Sequence, residues 1–310
     1  MKKISVVILA YNEEKGIAKC IDSILNQLHK AHEIIVINDG STDSTLNILK
    51  KYKNKIKIID KKKNEGRAKA YTAGFKKAKG NVVAFIDGDS YAPRNWITLL
   101  AQAFEKCAKN TACLGGNYLC ANTQYKLSNL ENKYNKIAMK KSLFKLPSGT
   151  NMAYDKKICT KLNVFKNIPQ FRCDRYAMDL LIRKGYIAKT IPGCYVFSKS
   201  PKSLRGYFKQ RFRWGRGAPS ARMLKTSVLF QKTVLILFPA IIVAGVIIFP
   251  HIFFPLIGLT AVLFLLSGLI MSIRWKILSF IEALQLILLK LAGCYAYAAG
   301  YVFQTMRRVI

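Results

Sequence analysis

Ile4–Ala10 is an almost unbroken apolar run that stops abruptly at Tyr11-Asn12-Glu13-Glu14. A strand with one wet face alternates apolar and polar residues, so a run without alternation implies burial on both faces, as in a parallel sheet covered by helices. Ile17, Ile21, Ile24, Leu25 and Leu28 then recur at helical spacing, and 33–37, 55–60 and 81–87 read as further strands. Between them Ser41, Thr42 and Asp43 offer capping oxygens for a helix through Leu46 and Leu49, and 67–78 reads as the next helix. Strand alternating with helix predicts an α/β fold with a doubly wound parallel sheet, which binds ligands beyond the carboxyl ends of its strands.

The pattern loosens after residue 110. A helix rich in Asn and Lys is expected over 122–141, a turn at Pro147-Ser148-Gly149, a helix over 174–184 and a basic amphipathic helix over 203–216. Beyond these, 234–249 and 252–273 carry no charge and are separated by Pro250-His251. They predict a C-terminal transmembrane helical hairpin with spans at about 232–250 and 252–273. The stretch 277–303 is interrupted by Glu282, Gln285 and Lys290, which favours a helix in the membrane interface or packed on the hairpin over a third span. The expected division is therefore a domain of 1–227 and a membrane region of 228–310.

The net charge is +35, of which the tail from Val228 contributes only +5. So basic a domain attracts phosphorylated substrates and anionic lipid headgroups. The lysines run together, as at Lys61, Lys62 and Lys63, without the interleaved aromatics of a nucleic-acid groove, and no nucleic acid is expected as a partner. None of the eight cysteines falls in a C-x-x-C pair, so they read as reduced thiols of a cytosolic domain. Met1-Lys2-Lys3 before the apolar run imitates a signal peptide. The run is too short and lacks a small-residue cleavage site, so a first strand and a cytoplasmic domain are expected.

Asp87-Gly88-Asp89 closes one expected strand and Asn38-Asp39-Gly40-Ser41 another. Two carboxylates one residue apart offer hard oxygen ligands to Mg²⁺ or Mn²⁺, ions that also bind diphosphate oxygens. Asp39 can accept from a base N–H or a ribose hydroxyl, with Gly40 allowing close approach. Asn64-Glu65-Gly66-Arg67 adds a glycine turn with a cation opening a helix.

In this order the motifs, from the first strand and its Tyr11-Asn12-Glu13-Glu14 through Asn38–Asp43, Asn64–Arg67 and Asp87–Asp89, resemble family 2 inverting glycosyltransferases of the GT-A fold. The resemblance covers roughly 1–216. It implies a nucleotide-sugar-binding half over 1–110 and an acceptor half over 111–227. It further implies that Asp39 and Arg67 help hold the nucleotide base, and that Asp87 and Asp89 address metal and diphosphate.

Gln210-Arg211-Phe212-Arg213-Trp214 resembles the Q-x-x-R-W signature of membrane-bound cellulose, chitin, hyaluronan and poly-N-acetylglucosamine synthases. Gln210, Arg213 and Trp214 share a helical face. The resemblance implies Arg213 at the diphosphate and Trp214 stacked on a sugar at the acceptor end; a basic, aromatic interfacial helix is the other reading of this segment. In the family the catalytic base is an Asp in a Glu-Asp motif opening a helix that ends Lys-Gly-Tyr. Counting back from Lys184-Gly185-Tyr186 gives Asp174, with Cys173 in the Glu position; Asp179 is the second candidate. Ser148-Gly149-Thr150-Asn151 resembles the segment below the acceptor site, so Thr150 and Asn151 are expected acceptor contacts.

The function this implies is inverting transfer of a sugar from a nucleotide-diphospho-sugar to a polysaccharide or glycolipid acceptor at the cytoplasmic membrane face. A transferase loading one sugar onto a polyprenyl phosphate is the alternative, and an inactive, basic, membrane-anchored binding protein is the reading from another class. Expected partners are the donor, a glycan or lipid-linked acceptor, membrane lipids and an export partner protein.

Overall fold

The computed structural model describes residues 2–170, 172–217, 265–266 and 280–309. These fall into two compact units. One comprises Met1–Asn122 with Ala138–Ser200; the other comprises Thr123–Ile137 with Pro201–Ile310. The expected hairpin at 232–273 lies outside the described residues apart from Leu265 and Leu266, which are helical, as does the expected boundary at 227.

The first unit is a seven-stranded sheet in the order β3-β2-β1-β4-β6-β5-β7. Its strands are β1 (Ile4–Ala10), β2 (Glu33–Asn38), β3 (Lys57–Asp60), β4 (Val82–Asp87), β5 (Thr111–Cys120), β6 (Met152–Asp155) and β7 (Ile187–Ser198). The first four pair in parallel, as the unalternating runs predict. The expected parallel sheet extends no further than these four, because β6 runs antiparallel to both β4 and β5; β5 and β7 are again parallel, so the whole sheet is mixed. Helix α4 (Trp96–Lys106) connects β4 to β5 without making them neighbours, and the short β6 fills the gap.

Helices cover both faces, and β1 shows why its run does not alternate. Val6 and Ile8 pack with α1 (Ile17–Leu25), α2 (Thr45–Lys50) and α4, while Val7 and Leu9 pack with α3 (Arg67–Lys77), α6 (Lys156–Lys161) and α7 (Cys173–Arg183). Full burial of an aliphatic or aromatic side chain contributes roughly 1.5–3 kcal/mol, and Ile8, Phe85, Trp96, Tyr71 and Tyr154 are all fully buried. Leu28, expected on the apolar face of α1, lies beyond its end and is exposed.

The expected capping by Ser41, Thr42 and Asp43 holds for Asp43, whose Oδ1 accepts from Thr45 N at the start of α2 at 3.0 Å, and needs correcting for Ser41 and Thr42. These side chains and their neighbours weld the β2–α2 loop to the β1–α1 loop. Ser41 Oγ accepts from Asn12 N at 3.0 Å, Asp43 Oδ2 from Glu14 N at 3.1 Å and Thr45 Oγ1 from Glu13 N at 2.8 Å; Asn12 Oδ1 accepts from Thr42 N at 2.8 Å. A carboxylate or hydroxyl is drawn to whichever unpaired N–H the fold presents, and here Asp43 serves its own helix with one oxygen and the other loop with the second.

In the second unit α8 (Leu204–Gly217) packs along a single 30-residue helix, α9 (Phe280–Val309), where a helix over 277–303 was expected. Gly215 lies against the backbone of Tyr297, and Gly293 against the Tyr207 ring, so each helix supplies a notch for the other. Glu282, expected to mark an interfacial helix, pairs with Lys133, while Ala283, Leu286 and Leu289 are buried beside Leu130, Ile137 and Tyr207. Among the described residues no helix is long and apolar enough to cross a membrane.

Gly74 of α3 is a sensitive test of the packing. Glycine costs a helix interior about 1 kcal/mol relative to alanine, yet a methyl here would run into the Val7 side chain, its Cβ 3.4 Å away, and Val7 is wholly buried. Overpacking costs about 1–3 kcal/mol. Gly74→Ala should therefore lower stability by about 1–2 kcal/mol in urea unfolding instead of raising it.

Candidate active site

The carboxyl ends of β1 and β4, where the strand order reverses, carry Glu13 and the Asp87-Gly88-Asp89 turn. Asp87 does not stand free. Its oxygens accept from Arg67 Nη2 at 2.8 and 3.1 Å, and the same nitrogen lies 3.4 Å from the Gly149 carbonyl. Tyr71, rising from the core, donates to that carbonyl at 2.8 Å. Asp174 closes the group from the other side, because a methyl at Gly149 would stand only 2.9 Å from its Cγ. Asp87, Arg67 and Asp174 thus converge on one glycine, and Asp174 opens α7 as the count from Lys184-Gly185-Tyr186 predicts.

Asp89 accepts from Ser90 Oγ at 3.2 Å, and Ser90 in turn meets Thr150 Oγ1 at 3.0 Å. Glu13, quoted in the sequence motif but given no role there, is the carboxylate that sequence reasoning missed. Burial, with Asp89 and Asp87 beside it, raises its pKa from 4.5 to about 7. Burial and Asp89 also push Asp87 upward against the pull of Arg67.

This accumulation of acids fits a divalent cation. The donors are hard carboxylate oxygens, and their mutual repulsion is the strain a cation would relieve. Among the described residues no cluster of three His, Cys, Asp or Glu forms a protein-only cage. Mg²⁺ and Mn²⁺ sites that borrow substrate phosphate oxygens need only one or two carboxylates.

Asp39 is placed differently from the expectation of an acceptor open to a base. It is buried, and its carboxylate takes Lys61 Nζ at 2.9 Å, Glu65 N at 3.2 Å and Gly66 N at 2.8 Å. Its work in this structure is to shape the Asn64–Arg67 turn. Arg67, expected beside Asp39 at the base, lies on Asp87 instead, and Lys61 supplies the cation for Asp39.

The acceptor expectations divide. Thr150 reaches Ser90 as described, but Asn151 is fully buried; it accepts from Trp96 Nε1 at 2.8 Å and donates to Asn117 O at 3.0 Å. The expected contact of its amide with sugar hydroxyls is corrected: both ends are spent holding the chain. Ser148 Oγ next to it is buried without a partner among the described residues, a polar atom left over at the same turn. Asp179, the second candidate base, forms an ion pair with Arg175 at 3.1 Å, and its carbonyl accepts from Arg183. Cys173 is buried in the core, where burial pushes its thiol up to about 12.

Gln210, Arg213 and Trp214 sit on α8 in the second unit, with Arg213 and Trp214 exposed. Arg211, unassigned in the sequence motif, places its guanidinium 4.3 Å from the Trp214 ring and 4.6 Å from that of Tyr207, and its Nη2 reaches the buried Glu131 at 3.2 Å.

A mixed seven-stranded sheet with carboxylates at its switch point defines a class of nucleotide-binding α/β protein. Residues 5–162 match glycosyl transferase family 2, and the chain belongs to that family. It is 36% identical over 133 residues to an uncharacterized glycosyltransferase of Rickettsia bellii (strain RML369-C), covering 43% of this chain and 18% of that one. To a poly-beta-1,6-N-acetyl-D-glucosamine synthase of Staphylococcus epidermidis it is 27% identical over 224 residues, or 69% and 54% of the two chains. The chain spans only 17–36% of the length of the first three curated relatives it matches. In fold it is similar to a mannosyltransferase from Pyrobaculum calidifontis, solved in complex with GDP-Man and Mn²⁺. That match has a TM-score of 0.67 at 19% identity and covers 97% and 87% of the two chains, which places the first unit among GT-A-like domains.

The Glu13 shift has a definite sign. Because its folded pKa of about 7 exceeds 4.5, the native state holds a proton that the unfolded state releases. The stability this proton confers is present below about pH 4.5 and is lost as pH rises through 7. In chelator-treated protein the melting temperature should fall across this window, and Glu13→Gln should flatten the fall. Mn²⁺ should raise the melting temperature most at pH 8.

Proposed function

We propose that the chain transfers a sugar, with inversion, from a nucleotide-diphospho-sugar to a glycan or lipid-linked acceptor at the cytoplasmic face of a membrane. The observation that carries this reading is the convergence of Asp87, Arg67 and Asp174 on Gly149. It sets the pair assigned here to the diphosphate beside the carboxylate assigned here as general base. Family membership supports the transfer reaction. The solved relative with GDP-Man and Mn²⁺ supports a nucleotide sugar as donor and a divalent ion as its companion, and the poly-N-acetylglucosamine synthase supports a glycan acceptor. The uncharged stretches at 234–249 and 252–273 support the membrane location.

In this mechanism Asp174 accepts the proton of the acceptor hydroxyl as that oxygen bonds to the anomeric carbon from the face opposite the leaving group. The bond from carbon to the diphosphate oxygen breaks, and the nucleoside diphosphate departs with the electron pair. A divalent ion at Asp89 and Asp87 would supply charge neutralisation to the diphosphate. Arg67 holds Asp87 in place; for α8, the Q-x-x-R-W resemblance alone implies a leaving-group role for Arg213 and an acceptor-sugar role for Trp214. Asp39, through its hold on Glu65 and Gly66, shapes the turn that receives the nucleotide.

A donor screen over UDP- and GDP-sugars with and without Mn²⁺, followed by mass analysis of lipid-extracted and soluble products, tests the reading. Inertness toward every donor would overturn it. Asp174→Asn should lower kcat by about 10²–10⁴ with nucleoside diphosphate affinity retained, whereas Asp179→Asn should leave kcat within about twofold. Gly149→Ala, which drives a methyl into the Asp174 carboxylate, should resemble Asp174→Asn in kcat.

A further inference from the structure

Helix α3 begins at Arg67, and the residue before it, Gly66, has no side chain with which to cap the helix. The cap comes from 102 residues away in sequence. Gln170 Oε1 accepts from Ala68 N, in the first turn, at 3.3 Å, while Gln170 Nε2 donates to the Glu65 carbonyl at 2.7 Å. Gly66 has a φ of +90°, and a Cβ there would stand 2.8 Å from Gln170 Cδ and 3.0 Å from Nε2. The amide therefore occupies the volume that the glycine leaves open. It grips the turn on one side while Asp39 holds Glu65 N and Gly66 N on the other.

Gln170 also stands four residues before Asp174, a stretch of chain that reaches at most about 14 Å. We propose that Gln170 is a positioning residue that couples the Asn64–Arg67 turn to the start of α7, so that Arg67 and Asp174 are set on Gly149 together. The proposal rests on the function argued above in assigning Arg67 to the donor side and Asp174 to the acceptor proton. The geometric coupling itself does not depend on turnover. A capping amide usually contributes locally; this one joins two elements whose separate registers would otherwise be free to drift. A displacement of about 1 Å in a reacting group is enough to cost about 10²-fold in rate.

The test uses the full-length protein and two variants. Gln170→Ala removes both hydrogen bonds. Gln170→Glu keeps an acceptor for Ala68 N, which a helix N-terminus favours, but sets a carboxylate against the Glu65 carbonyl. Hydrogen exchange is followed in peptides covering 64–70 and 172–178. In Gln170→Ala both segments should exchange about tenfold faster, with segments in β1 and α4 unchanged; acceleration of only one, or of neither, overturns the coupling. If Gln170→Ala fails to fold, Gln170→Glu carries the same comparison.

Kinetics separate coupling from simple capping. Gln170→Glu should restore the melting temperature yet leave the donor KM raised about tenfold, while a role limited to capping α3 would be rescued in both. The two proposals fail in different ways. A parent chain inert toward every donor, with exchange coupled as expected, refutes the function and not the role of Gln170. An active parent whose Gln170 variants keep the donor KM refutes the role of Gln170 and not the function.

Discussion

The turn from Ser148 to Met152 is gripped from both faces of the sheet, and the placement of the candidate site residues around Gly149 depends on that grip. Trp96, buried on one face, ties Asn151, while Tyr71, buried on the other, ties the Gly149 carbonyl. Gly116 adds two backbone bonds, its N–H to the Asn151 carbonyl and its carbonyl to Ser148 N. The polar ends of large aromatics must find partners when the rings are buried, and here those partners lie at the site. Energy from apolar burial is thereby converted into precise placement of a loop that has little apolar surface of its own.

Electrostatics governs the other side of the crevice. Asp39, just past β2, and Asp87, the last residue of β4, lie at the ends of the two strands that flank β1, and each is met by a cation from the chain between them, Lys61 for the first and Arg67 for the second. Glu13 and Asp89 form no ion pair among the described residues; Lys199 draws the Glu13 pKa down, but burial and the neighbouring Asp89 and Asp87 outweigh it, and Glu13 responds by holding its proton. The site is thus balanced in its inner half and charge-rich toward its opening, an arrangement suited to a ligand that arrives with cation and phosphate together.

How far the fold could be read in the sequence followed from the range of the interactions. β1 matches its apolar run from end to end, and β2, β4, α3 and α7 lie within a residue or two of the expected bounds, because period and burial are recorded locally. The antiparallel insertion of β6 was hidden, since four residues carry no sign of which strand they will join. The acids at the strand ends were conspicuous, but their partners were not. Arg67 lies 20 residues before Asp87 and Gln170 more than 100 after Glu65. Asn151 misled for a related reason: an amide beside a glycine turn looks available until Trp96, 55 residues earlier, is seen to occupy it.

The eight cysteines have a practical consequence. Six are buried, Cys107 is half-buried, and Cys294 on α9 is exposed. Burial holds Cys173 and Cys194 near 12 and Cys20 and Cys159 above their usual range, so the thiolate that reacts with electrophiles is almost absent at these positions. A maleimide label added at neutral pH therefore attaches first at Cys294 and spares the thiol adjoining Asp174. The natural chain already carries a single preferred handle for fluorescence or spin probes on its last helix, with no cysteine needing to be removed.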